Sequence, residues 1–233
     1  MEHIFIMNHI LSQLSISDIV RLQPYFPAIE KALAEGRPVI VCHQGQPVEI
    51  KVTCVCWPKL FPEQPDVTVR FIAGTDAMSV RFHVVGRDLR AQFAEDHGQV
   101  WTDSCCEMFC RPLGTADYHN FEINAIGAMT ASVRTERKLN VRKYSSEQLA
   151  KILRFAPLGR QPLAERTGLQ EWEVGFDVPY ELLGECRPVV LEANFYKCAD
   201  HAPHPHYLAW SPIHTEKPDF HRPECFGLCV LCD

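Results

Sequence analysis

YHNFEINA, residues 118–125, alternates without a break: His119, Phe121, Ile123 and Ala125 fall on one side, and Tyr118, Asn120, Glu122 and Asn124 on the other. A two-residue period is the signature of a β-strand with one face on a core. The second face is too polar for an ordinary interior, so it is expected to look outward. DSCCEMFC, residues 103–110, reads as a partner strand with Asp103, Cys105, Glu107 and Phe109 on one side.

The same period recurs along the chain. VTVRFIAGTDAMSVRFHVV, residues 67–85, gives two strands around a turn at Gly74 and Asp76, with Val67, Val69 and Phe71 and then Met78, Val80, Phe82 and Val84 inward. Arg70, Arg81 and His83 take the other faces. WEVGFDV at 172–178 and PVVLEANFY at 188–196 add two more strands. Helical signals are few. Residues 16–35 are predicted helical but divided by Pro24 and Pro27 and ended by Gly36; RDLRAQFAEDHG at 87–98 suits a short helix or a loop with a helical turn, and SSEQLAKIL at 145–153 a capped helix, followed by a loop over 157–168. Short strands with long connections, and no repeating strand–helix unit, predict an all-β sandwich whose sheets carry polar outer faces. Residues 1–49 are expected as an N-terminal extension with a short helical part, and 50–233 as the sandwich.

Composition narrows the function. Twenty-three Lys and Arg against 29 Asp and Glu give a net charge of −6, which disfavours a phosphate backbone as partner. The start lacks the features of a secretory leader, and no stretch approaches the length of a membrane span. Eleven cysteines, several inside apolar runs, suggest free thiols in a reducing, cytoplasmic setting rather than a disulfide framework. Cys225, Cys229 and Cys232 read either as a partial metal knuckle or as part of a closing strand.

Sugars are held by aromatic rings against their C–H faces and by carboxylates, amides and guanidinium groups around their hydroxyls. The candidate ligand-binding residues are Trp101, Asp103, Glu107, Asn120, Glu122 and Trp210, the last in a tail stiffened by proline. Each also has a plainer reading: tryptophans pack in cores, and Glu107 and Glu122 could pair with Arg70 and Arg81 across strands. No catalytic residue is assigned. Elbow, zincin and phosphate-loop motifs are missing, and two acids on neighbouring strands suit a glycosidase no better than many other folds.

VCWP at 55–58, VWTDSCCEMF at 100–109, YHNFEINAIG at 118–127, NFYKCAD at 194–200 and HYLAWSPIHTEKPDFHRPECFG at 206–227 resemble, in that order, the family 9 carbohydrate-binding modules and the family 9-like proteins that occur as separate chains. The resemblance implies a β-sandwich that binds a mono- or oligosaccharide end without catalysis, as do modules attached to xylanases. It implies a clamp of two tryptophans, here Trp101 and Trp210, and a structural calcium ion, although no twelve-residue calcium loop is present. A separate carbohydrate-active enzyme is an implied partner. Two alternatives stay open: a carbohydrate-active enzyme using paired carboxylates or a metal on His201, His204, His206, His214 and His221, and a structural or protein-interaction domain.

Overall fold

In the computed structural model, which describes residues 2–184 and 186–233, the alternating stretch at 118–125 is the middle of a large sheet. The strands in chain order are β1 (Val39–His43), β2 (Pro47–Lys51), β3 (Cys54–Val55), β4 (Asp66–Ala73), β5 (Ala77–Ala91), β6 (Cys105–Pro112), β7 (Tyr118–Asn124), β8 (Met129–Arg134), β9 (Arg142–Lys143), β10 (Leu153–Phe155), β11 (Leu163–Pro179), β12 (Val190–Cys198), β13 (Tyr207–Ala209) and β14 (Gly227–Cys232). One sheet runs β1-β14-β12-β6-β7-β8-β9, with β13 and β3 attached beside β12, and the other runs β10-β11-β5-β4-β2. The two stack as a β-sandwich.

The inward faces are those the alternation predicts. Phe121 and Ile123 of β7, Val80 and Phe82 of β5, Val174 and Phe176 of β11 and Phe195 of β12 share one apolar interior, and all are completely buried. Edge contacts between Phe195 and the rings of Phe71 and Phe82, at 5.9 and 6.5 Å between centroids, tie the sheets together.

The outer face of the large sheet is not open to water, which corrects the expectation of a polar solvent face. Helices α1 (Glu2–Ser12), α2 (Ile16–Leu22) and α3 (Phe26–Ala34) cover the β1–β14 end. There Leu22, Ile29 and Leu33 meet Val190, Leu228 and Val230. Ser15 caps α2 by accepting the backbone N–H of Asp18, while Pro24 and Pro27 confine the chain between α2 and α3 to a 3-10 turn. Over β12, β6 and β7 the cover is made by residues near 57–61 and 207–226, where Trp57, Phe61, Phe220 and Phe226 pack on Phe109, Tyr118 and Tyr196.

Three local expectations need correction. Residues 87–91 continue β5 instead of forming a helix, because Leu89 and Ala91 pair with β11 and are buried; the rest of 87–98 is turn and loop. Tertiary pairing overrides helix-favouring residues there. Residues 163–168 likewise belong to β11 rather than a loop. The division at 49/50 cuts β2, and β1 is already the edge of the large sheet, hydrogen-bonded in parallel to β14. The predicted helix at 145–153 is the short α4 (Ser146–Ala150), started by a reciprocal cap between Ser145 and Gln148.

All eleven cysteines are free. Cys229 faces the space between the sheets and Cys232 the helices, so with Cys225 they form no common ligand set. Alkylation of freshly purified, unfolded protein without reductant is expected to add eleven groups by intact mass, and two or more protected pairs would contradict the reduced state.

Candidate functional site

Between the outer face of the large sheet and its loop cover lies a cavity of about 450 Å³. Glu107 and Phe109 of β6, Glu122 of β7, Thr130 of β8 and Cys198 of β12 form its floor. Trp101, His97, Arg134, Arg137, Lys143, Asp200, Tyr207 and residues 218–221 complete its lining.

Backbone pairing sets this floor. The β6–β7 register puts Glu107 directly opposite Glu122, and the β6–β12 register puts Cys105 opposite Cys198. Glu122 accepts a hydrogen bond from the Asn120 amide at 2.8 Å, and the Asn120 carbonyl accepts one from Ser132 Oγ at 2.6 Å. Arg134 Nε in turn donates to Ser132 Oγ at 3.1 Å. Asn120 thus orients Glu122 from behind and is itself completely buried.

Burial pushes both facing carboxyls up, and the neighbouring Glu122 carboxyl raises Glu107 further. Glu122 is raised to about 7 by the same loss of solvent. Asp200 is also raised by burial. The floor presents carboxyl groups able to donate as well as accept, which matches the two-sided hydrogen bonding of sugar hydroxyls.

The aromatic wall is held rigidly. Tyr196 and Phe220 stack at 4.2 Å with an angle of 11° between rings, and Trp57 Nε1 donates to the Thr215 carbonyl at 2.7 Å, fixing the loop that carries Phe220 and His221. His221 Nδ1 lies 2.9 Å from the Tyr118 hydroxyl, and burial lowers its pKa to about 3, so it is a neutral ring in the wall. Trp101 sits in a 3-10 turn whose carbonyl accepts the N–H of Asp200 at 3.3 Å, and its side remains 37% exposed at the mouth. An open indole held by its backbone is a ready platform for a sugar face.

Of the six candidate residues, Trp101, Glu107 and Glu122 line the cavity and Asn120 supports it from behind. The other two are corrected. Asp103 is completely buried away from the cavity lining; its Oδ2 accepts the backbone N–H groups of Gln92 and Phe93 and the Asn124 amide, each at 2.9 Å. It staples the β5–β6 connection to β7. Trp210 faces the space between the sheets, 5.7 Å from Phe195 and against Gly227, where a Cβ would fall 2.7 Å from the indole. The cavity lining instead includes the rings of Tyr207, Phe220 and His221, which alternation could not reveal because a loop, not a strand, delivers two of them.

The tail histidines do not converge. His204 Nδ1 pairs with Asp88 at 2.8 Å, His206 Nε2 lies 3.0 Å from Lys197, and His221 meets Tyr118. Among the described residues, the metal-donor side chains that gather in a group of three are Cys105, Glu107 and Cys198. A calcium ion does not fit the acids near the sequence motifs. Both Asp96 oxygens are taken by Arg154 at 2.6 and 2.8 Å, Arg154 and Arg160 share the Gly127 carbonyl, and Asp103 has three N–H donors on Oδ2 and Arg90 Nε 3.4 Å from Oδ1. Guanidinium groups already neutralise the oxygens that a hard cation would need.

The family model for carbohydrate-binding family 9 matches residues 23–231. Among solved structures, the fold is similar to a candidate carbohydrate-binding protein from Bacteroides uniformis at 27% identity, with 84% of this chain and 99% of that chain covered and a TM-score of 0.78. It is also similar to a family 9 carbohydrate-binding module from Caldicellulosiruptor kristjanssonii in complex with cellotriose, at 10% identity, 84% and 94% coverage and a TM-score of 0.47. A module of the same family and species in complex with glucose matches at 10% identity, with 83% and 95% covered and a TM-score of 0.45. No curated protein matches the chain.

Proposed function

This chain belongs to carbohydrate-binding family 9, and we propose that it holds a mono- or oligosaccharide in the cavity over β6, β7 and β12 without transforming it. The observation that carries the reading is the exposed Trp101 indole standing over a floor of two facing carboxyls, Glu107 and Glu122. A volume of about 450 Å³ lies within the range of small-ligand sites, about 300–1,000 Å³. Trp101 takes the apolar face of a sugar ring, Glu107 and Glu122 its hydroxyls, and Tyr207 with Phe220 adds apolar wall. Arg134 and Arg137 bring further donors to the rim. A carbohydrate-active enzyme on a separate chain is the partner this role calls for.

Glycan-array screening identifies the ligand and calorimetry then measures variants. Trp101→Ala is expected to weaken binding by about 1–3 kcal/mol, since stacked rings at the centre of a site carry much of the affinity. Trp210→Ala should lower stability and leave affinity unchanged, because its ring lies outside the cavity. A folded Trp101→Ala protein with full affinity would sink the platform. Products from the same sugar are followed in parallel: turnover by the parent protein that disappears in Glu107→Gln would replace binding with catalysis.

A further inference from the structure

The cavity floor carries two thiols, of Cys105 and Cys198, to which sugar recognition assigns no part. Cys105 of β6 stands directly across from Cys198 of β12, and Glu107, two residues along β6, projects from the same face. One donor atom from each, two sulfurs and a carboxylate oxygen, lies within 4.8 Å of the others, and all three residues are buried. Cys106, between them in sequence, points into the space between the sheets and takes no part.

Glu107 lacks the partners that a buried carboxyl normally requires. Among the described residues its side-chain hydrogen bond comes from the Cys198 thiol at 3.0 Å, and no ion pair reaches it. The nearby Lys197 ammonium is turned away, donating to the Cys198 carbonyl at 2.6 Å and lying 3.0 Å from His206 Nε2. Buried acids without a cation are costly, and coordination of a metal is one way proteins offset that cost.

A second observation is independent of the cluster: Glu107 and Cys198 also line the cavity, so the group is open on one side. Three protein ligands with a free position facing a pocket is the arrangement of zinc sites that exchange a ligand, whereas structural zinc sites are closed by four. Two thiolates select thiophilic ions over calcium or magnesium. We propose that Cys105, Glu107 and Cys198 bind one thiophilic divalent cation of the zinc class at the cavity floor, with its remaining coordination position directed into the cavity.

Binding would release the protons of both thiols and of the carboxyl, leaving two thiolates and one carboxylate around a doubly charged ion. The inference does not depend on sugar binding and is tested with metal alone. Full-length protein without an affinity tag, reduced and stripped with chelator, is titrated with Co²⁺. One equivalent should bind, with near-ultraviolet sulfur-to-cobalt charge-transfer absorption that Zn²⁺ abolishes by displacement. Cys105→Ala and Cys198→Ala should each weaken binding at least about tenfold and diminish that absorption, while Cys186→Ala, at an exposed thiol, should leave both unchanged. Because either buried variant can fail to fold, X-ray absorption at the zinc edge of the unaltered protein provides a second measurement: two sulfur neighbours near ~2.3 Å with lighter atoms completing the shell are expected. Failure to bind one equivalent, a shell of four sulfurs or of none, or a charge-transfer band undiminished in both folded cysteine variants would each overturn the proposal. None of these results would decide whether the cavity binds sugar.

Discussion

Phe121→Ala is expected to lower the unfolding free energy by roughly 3–5 kcal/mol, and Asn120→Ala, the adjacent residue on the same strand, by only about 1–3 kcal/mol. Phe121 is completely buried between the sheets, with ring centroids 5.6 Å from Tyr144, 5.9 Å from Phe176 and 6.3 Å from His119. Its loss leaves a cavity that side chains from two sheets cannot close together. Asn120 is equally buried but on the other face, where its removal costs hydrogen bonds: Glu122 loses a donor and Ser132 an acceptor. Urea unfolding of the two variants, with equal slopes, checks the comparison. A greater loss for Asn120→Ala would mean that the polar network behind the cavity, rather than the aromatic stack between the sheets, holds β7 in place.

The alternation of residues 118–125 gives away both faces of β7 but not what lies over either. Tyr118, Asn120, Glu122 and Asn124 look like a solvent face because period two reports side-chain direction only. The segments that bury them, around residues 57–61 and 207–226, are distant in sequence and mostly lack regular structure. Polarity on a covered face was the signal of a site. The carboxyl pair is similarly hidden: Glu107 and Glu122 are 15 positions apart, and only the β6–β7 register brings them face to face.

The misplaced tryptophan has a specific cause. In HYLAW, residues 206–210, Tyr207 and Ala209 take one face while Leu208 and Trp210 take the other. Pairing of β13 with β12 puts Tyr207 opposite Cys198 and Ala209 opposite Tyr196, on the cavity side, which leaves Trp210 facing the core beside Phe195. Without the knowledge that this proline-flanked segment is a strand, the larger ring is the natural choice. Asp103 misleads differently, since a carboxylate that satisfies three backbone and amide donors looks the same in sequence as one that waits for a ligand.

Acid is expected to unfold the metal-free protein in two stages, with a shallow loss of stability between pH 6.5 and 4.5 and a steeper loss between pH 4.5 and 3. Burial lowers three histidines below their ordinary value: His119 to about 4, and His206 and His221 to about 3. Lys197 opposes protonation of His206, and Arg134 and Arg137 that of His221; Asp117 favours it at His119 while Arg142 opposes it. Since the folded pKa lies below the unfolded one of about 6.5, the unfolded chain takes up protons first. Stability from these rings is therefore complete above pH 6.5 and lost as the pH falls towards 4 and 3. Glu107 and Glu122 act with the opposite sign. Their folded pKa values are raised, to about 7 for Glu122, so the folded state holds their protons down to the unfolded value near 4.5 and gains stability over the range in which the histidines lose it. These raised carboxyls, with Asp200, offset part of what the histidines lose above pH 4.5, which keeps the slope there shallow. Below that pH the two glutamates are protonated in both states and only Asp200 among the raised carboxyls still opposes the histidines, which are joined by Asp117, held below the usual carboxylate range by the hydrogen bond from Arg142. Urea midpoints across pH 3 to 7.5 in chelator-treated protein measure both slopes, and His119→Gln should remove about one proton from the dependence between pH 6.5 and 4. Stability that stays level from pH 4.5 to 3 would show that these rings are charged inside the fold, and with that the neutral His221 wall of the cavity would have to be abandoned.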